Sequence, residues 1–163
     1  MTEEHQKLHD FLESVDEGYH GDVGFIPPIS LNLVELFEKS IDWQLPSIYK
    51  FFLANESNGI IIGKKRILSL NDSSQKKTWS DNLERNNNPK VSFSFKERPL
   101  IFKNYLIIGT DGEICFCYSK KYDLANPLVY ICEDANSKLG VNFERLDLDL
   151  EGLIGTMISG EIE

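Results

Sequence analysis

His5 and His9 stand four residues apart near the start of the chain, a spacing that on a helix can turn two imidazoles toward one metal ion. Zinc hydrolases built this way carry a carboxylate directly after the first histidine as general base. The amide Gln6 occupies that position here, so the pair is expected as solvated surface and not as ligands. Cys115 and Cys117 share one face if their segment is a strand, and Cys132 falls on another segment, so a three-thiolate site is geometrically conceivable. Paired C-x-x-C knuckles are missing and all three histidines lie within the first 20 residues, so the thiols are expected as small buried hydrophobes. The stretch from Gly59 to Lys65 is one residue short of a phosphate-binding loop, and Lys65 stands where such a loop needs a hydroxyl for magnesium. Its triplet Ile60-Ile61-Ile62 reads as strand. Glu133 with Asp134, and Asp147 with Asp149, could share a proton or hold a cation, yet carboxylates cluster on solvated faces without any chemistry. No nucleophile, base and oxyanion group assemble from these residues, so we expect no enzyme, no cofactor and no metal.

The elements that would carry these groups follow from composition and periodicity. A chain of 163 residues with 41% hydrophobic and 26% charged residues fits one domain with a sizeable core. The start MTEEHQKLHD lacks the pattern of an export signal, no window approaches a membrane span, and three cysteines fit a reducing compartment, which together predict a cytosolic protein. Charge is uneven: residues 1–42 sum to −8, residues 43–120 to +5 and residues 121–163 to −6, within a net −9. Acidic ends around a mildly basic middle disfavour direct nucleic-acid binding, which needs concentrated positive charge, and suit a basic partner.

Leu8, Phe11, Leu12 and Val15 form one stripe of a helix over about 3–16. Glycines at 18, 21 and 24 with Pro27 and Pro28 predict a loop. A second helix covers about 32–41, with Leu33, Leu36, Phe37 and Ile41 near helical spacing and Ser30 or Asn32 as cap. A third begins at Leu45-Pro46, buries Leu45, Ile48, Tyr49 and Phe52, and should stop at Asn58-Gly59. Strands follow at 60–62 and 67–70, interrupted by Lys64-Lys65-Arg66. A short helix near 73–84 would turn Trp79 and Leu83 inward. Leu106 to Tyr118 predicts a tight hairpin about Asp111-Gly112, and Leu128–Cys132 another strand. Alternation across Leu146–Leu150 is strand-like, but the stripe Leu146, Leu150, Leu153, Ile154, Met157, Ile158 predicts a final helix capped by Asn142.

The order of these pieces resembles the SUKH superfamily, which includes bacterial immunity proteins and fungal cell-wall synthesis regulators. A helix is followed by L-P-x-x-Y-x-x-F-L-x-x-x-x-N-G, here Leu45, Pro46, Tyr49, Phe52, Leu53, Asn58 and Gly59. The strand and turn Ile107-Ile108-Gly109-Thr110-Asp111-Gly112, the strand Pro127–Tyr130 and the segment Asn142–Leu146 at the entry to the last helix come in the same order. Ile60 after Asn58-Gly59 and Glu113 after the turn depart from the pattern. The resemblance implies an α+β fold: a single domain over 1–163 with its core at about 32–158, and a mixed or mostly antiparallel sheet with helices packed against it. It also implies a non-enzymatic immunity protein that occludes a cognate toxin, often a nuclease and therefore basic at its active face. A regulatory or scaffold module binding a cellular protein or small ligand is the alternative. Expected partner contacts are the acids near turns: Asp111, Glu113, Glu133 and Asp134, with Asp147 and Asp149.

Overall fold

Apolar stripes close enough to meet bury the inner faces of the helices. The computed structural model describes residues 2–18, 23–70, 83–87, 104–111, 114–120, 126–133 and 142–160. Helix α1 (Glu3–Gly18) buries Leu8 and Leu12 as expected. Helix α2 (Leu31–Ile41) starts with the Ser30 hydroxyl accepting from the Leu33 N–H and ends at Asp42, which sits in the left-handed region at φ 53°. Its buried stripe is Val34, Phe37, Glu38 and Ile41, whereas Leu36, expected inside, is 58% exposed. Helix α3 (Ser47–Phe51) follows Pro46, and Leu45, Ile48, Tyr49 and Phe52 are buried. The chain then widens into a π-helical turn (Phe52–Glu56), closed by the Ser57 N–H on the Phe52 carbonyl. The helical run ends at Glu56, two residues before the expected stop, because Ser57 and Asn58 have other bonds to make. The Ser57 hydroxyl lies between the carbonyls of Ile26 and Gly59, and the Asn58 N–H donates to Ile26.

Seven strands pair in chain order as one antiparallel sheet: β1 (Val23–Phe25), β2 (Ile60–Ile62), β3 (Lys65–Ile67), β4 (Tyr105–Thr110), β5 (Cys115–Ser119), β6 (Tyr130–Glu133) and β7 (Asn142–Arg145). With the helices this makes the fold α+β. Strand β1 corrects the expectation of a loop: Gly24 lies opposite Ile61 and takes its place in the ladder despite a poor strand propensity. Lys65 and Arg66, expected as an interruption, belong to β3, with Arg66 opposite Thr110. Strand β7 corrects the expected start of the last helix. Asn142 is paired with Glu133 instead of capping, and the Leu146 N–H donates to Val129, so the alternating segment leaves the sheet before the helix begins. That helix, α5, spans Leu150–Ser159, buries Leu150, Leu153, Ile154 and Met157, and is capped by Asp149. Tyr49 of α3 meets Tyr118 of β5 edge-on at 5.7 Å, which places α3 on the Phe116–Tyr118 face of the sheet.

The segments of β3 and β4 part company beyond Leu68, whose N–H still donates to the Ile108 carbonyl, and there the five-residue helix α4 (Leu83–Asn87) enters. Of the helix expected at 73–84, Leu83 and Glu84 belong to α4, and residues 71–82, with Trp79, lie outside the described residues. Asn87 supplies the missing strand, its amide donating to the Ile107 carbonyl at 2.7 Å and accepting from the Ile107 N–H at 2.8 Å. Asn58 does the same for Leu70, at 2.7 and 2.9 Å. Among the described residues no helix is long and apolar enough to cross a membrane.

Two glycines are required by space. A Cβ on Gly109 would lie 2.7 Å from the Arg66 carbonyl oxygen; on Gly59, at φ +97°, it would lie 2.6 Å from that of Ile67. Gly59→Ala should therefore cost about 2–4 kcal/mol, combining left-handed strain with a backbone clash. Gly63→Ala, at φ +60° with open space around it, should cost only about 1–2 kcal/mol; denaturant midpoints separate the two. The hydroxyls of Tyr49 and Tyr118 are buried without a hydrogen-bond partner, and burial pushes both phenols above their ordinary range. Tyr118→Phe should leave stability unchanged or raise it by up to about 1 kcal/mol in urea denaturation, since no bond is lost.

Candidate functional site

The fold divides the acids expected to meet a partner between two ends of the sheet. Thr110 lies opposite Cys115 and Glu133 opposite Asn142, so Asp111 and Glu133 stand at one end. Asp147 and Asp149 follow β7 at the other. The Asp111 carboxylate accepts the Ile114 N–H at 2.8 Å and shapes the β4–β5 hairpin, whose intervening Gly112 and Glu113, like Asp134, lie outside the described residues. Asp147 is 91% exposed with the Arg145 guanidinium 4.0 Å away. Asp149 is occupied: one oxygen accepts the Gly152 N–H at 2.9 Å and the other the Asn126 amide at 3.2 Å.

A groove lies elsewhere, on the outer side of α2 and the turn to α3. It encloses about 620 Å³ and is lined by Glu35, Lys39, Asp42, Trp43 and the Glu38–Lys50 pair. Trp43 is half-buried, and the Lys120 ammonium, held below the usual lysine range by burial, sits 5.9 Å from its ring centre. Leu31 and Leu36, 48% and 58% exposed, stand on α2, the helix that also supplies Glu35, Lys39 and Asp42 to this groove. An amphipathic reading assigns Leu36 to the core because it sees one periodic stripe, while the helix is rotated so that Val34, Phe37, Glu38 and Ile41 face inward.

Glu38 organises the groove. It is 8% exposed, and its carboxylate accepts the Leu45 N–H at 2.7 Å and the Lys50 ammonium at 2.9 Å, while its own carbonyl takes the Trp43 N–H at 3.2 Å. One side chain thus fixes the turn that presents Trp43 and sets Leu45-Pro46 at the start of α3. Sequence reasoning missed it. The available signal was a carboxylate at the i+4 position of the stripe Val34, Phe37, Glu38, Ile41, where a core residue belongs.

Both histidines of α1, expected as solvated, are half-buried and bonded. The His5 ring stacks on Phe51 at 4.4 Å and reaches the Ser47 hydroxyl at 3.1 Å. His9 Nδ1 lies 2.6 Å from Glu56 and Nε2 3.0 Å from Glu13. His9, Asp10 and Glu13 bring their ligand atoms within 4.8 Å of one another, the one such group among the described residues, but carboxylates already occupy both ring nitrogens. Cys117 is buried, and Cys115 stands opposite Cys132 in the β5–β6 register. Ile60–Ile62 is strand, as its β-branched triplet predicts.

Glu38→Ala should cost about 2–3 kcal/mol by leaving the Leu45 N–H and Lys50 without their acceptor, and Glu38→Gln about 1 kcal/mol. Guanidinium denaturation with Trp43 fluorescence reads both the loss and the loosened turn. In comparisons with known proteins, the model of the SMI1 / KNR4 family (SUKH-1) matches residues 28–146. Neither the curated proteins nor the solved structures returned a match.

Proposed function

The chain belongs to the SMI1/KNR4 family (SUKH-1), and from that membership we propose that it is a cytosolic immunity protein, which binds and occludes a cognate toxin and makes or breaks no covalent bond. The observation that carries this reading beyond the family is the outer face of α2. Two large leucines are exposed on that helix, which also forms a wall of a groove that holds a half-buried tryptophan among carboxylates. Protein interfaces take most of their affinity from such aromatic and apolar anchors and their orientation from the charges at the rim. A net charge of −9 supports a basic partner, and a toxin that handles nucleic acid must be basic where it grips phosphates. Covering that face removes the toxin's access to its substrate and needs tight, stoichiometric binding alone.

The partner to try is a basic toxin domain encoded beside this gene, and co-expression should rescue cells from that toxin and from no unrelated one. Binding kinetics should show association slowing by about tenfold or more between 50 and 500 mM salt, with a weaker effect on dissociation. Leu36→Lys, on an exposed position, should leave the melting temperature in place and weaken the complex by about tenfold or more. An unchanged affinity would remove the α2 face from the reading, and failure to bind any neighbouring toxin would favour a regulatory module of the same family.

A further inference from the structure

Helix α1 lies outside the span that the family model matches, and its attachment is made by groups on its inner face. Leu8 and Leu12 are buried, Phe11 lies 3.5 Å from where a Cβ on Gly155 would stand, Lys7 pairs with Glu151 of α5 at 3.7 Å, and His5 and His9 reach the α3 segment. Of these, His9 alone is held between two carboxylates. Glu56, whose side chain is 11% exposed, faces Nδ1 at 2.6 Å, and Glu13 faces Nε2 at 3.0 Å. The Glu56 contact is a hydrogen bond and the Glu13 contact an ion pair; the imidazolium serves both, donating to one carboxylate and carrying the charge that attracts the other. A neutral ring has one N–H, which leaves one carboxylate against a lone pair.

We propose that α1 is a pH-gated strap, latched on the body of the protein by the Glu56–His9–Glu13 clasp when His9 carries two protons and loosened when it loses one. The charges that act on the ring are Glu56 from the π-helical turn and Glu13 and Asp10 from α1, all negative, and they hold its pKa above the ordinary 6.5. Glu151 of α5 is engaged with Lys7, and β1 offers the apolar Phe25 to the 240 Å³ hollow beside the ring. A pKa raised in the folded state contributes stability that is complete below 6.5 and is lost as pH rises through the folded value. Releasing α1 withdraws Leu8 and Leu12 from the core and uncovers the Ile48–Phe51 surface of α3. The device operates whatever the chain binds.

Trypsin cleavage after Lys7 in the full chain reports the strap, and cleavage of a synthetic peptide of residues 2–18 at each pH corrects for the protease. From pH 6 to pH 9 the corrected rate should rise by at least about fivefold. Glu56→Gln, which removes the charge that most favours the imidazolium, should abolish most of that step. An NMR titration of the His9 ring should give a midpoint above 6.5. A smaller rise, an undiminished step in Glu56→Gln, or a midpoint at or below 6.5 overturns the proposal.

Discussion

A peptide N–H or C=O that leaves a helix or a ladder inside a core still has to find a partner, and at three breaks among the described residues a buried polar side chain supplies one. Asn58 gives Leu70 a donor and an acceptor, Asn87 gives Ile107 both, and the Glu38 carboxylate takes the N–H of Leu45. These three residues let strands stop and helices turn where a regular hydrogen-bond pattern would forbid it. The helices and sheet supply the burial; the junctions decide where the elements end, and so which side chains face outward.

The groove on α2 is an outcome of such a junction. Because the Glu38 carboxylate turns inward to meet Leu45 and Lys50, α2 presents Leu31, Glu35 and Leu36 to solvent, and the turn after it holds Trp43 half-buried. Family membership and this face bear on one another. Residues 28–146 include α2, α3, α4 and strands β2 to β7, while α1, β1 and α5 lie outside that span.

Much of this architecture can be read from residue types, and the parts that cannot have a common physical reason. The stripe of α3 and the hairpin about Asp111 depend on local pattern, and they stand where the pattern places them. Strand β1 depends on β2 as a template, since three residues with a central glycine have no strand preference of their own. Asn142–Leu146 could serve helix or sheet equally well, and β6 decides the matter by offering its free edge. For the acids near turns, sequence gives charge but not company: topology sends Asp111 and Glu133 to one end of the sheet and Asp147 to the other, and it gives Asp149 a helix to cap. Glu38 escaped because periodicity arguments treat a carboxylate as outward-facing, and only the contact with Leu45, seven residues on, explains its burial.

The seven strands lie side by side in the order in which the ribosome makes them. Each newly emerged strand therefore finds the edge it must join already laid down, and the loop it closes is short in most steps, which keeps the entropy of each closure small. Two passages are long: from Phe25 to Ile60, which holds α2 and α3, and from Ile67 to Tyr105, the longest interval between paired strands. Until β4 arrives, β1 to β3 form a small three-stranded ribbon with an open side, and α4 with its Asn87 amide is made shortly before the strand it will brace. The order of synthesis is the order of the sheet, with long intervals before β2 and before β4.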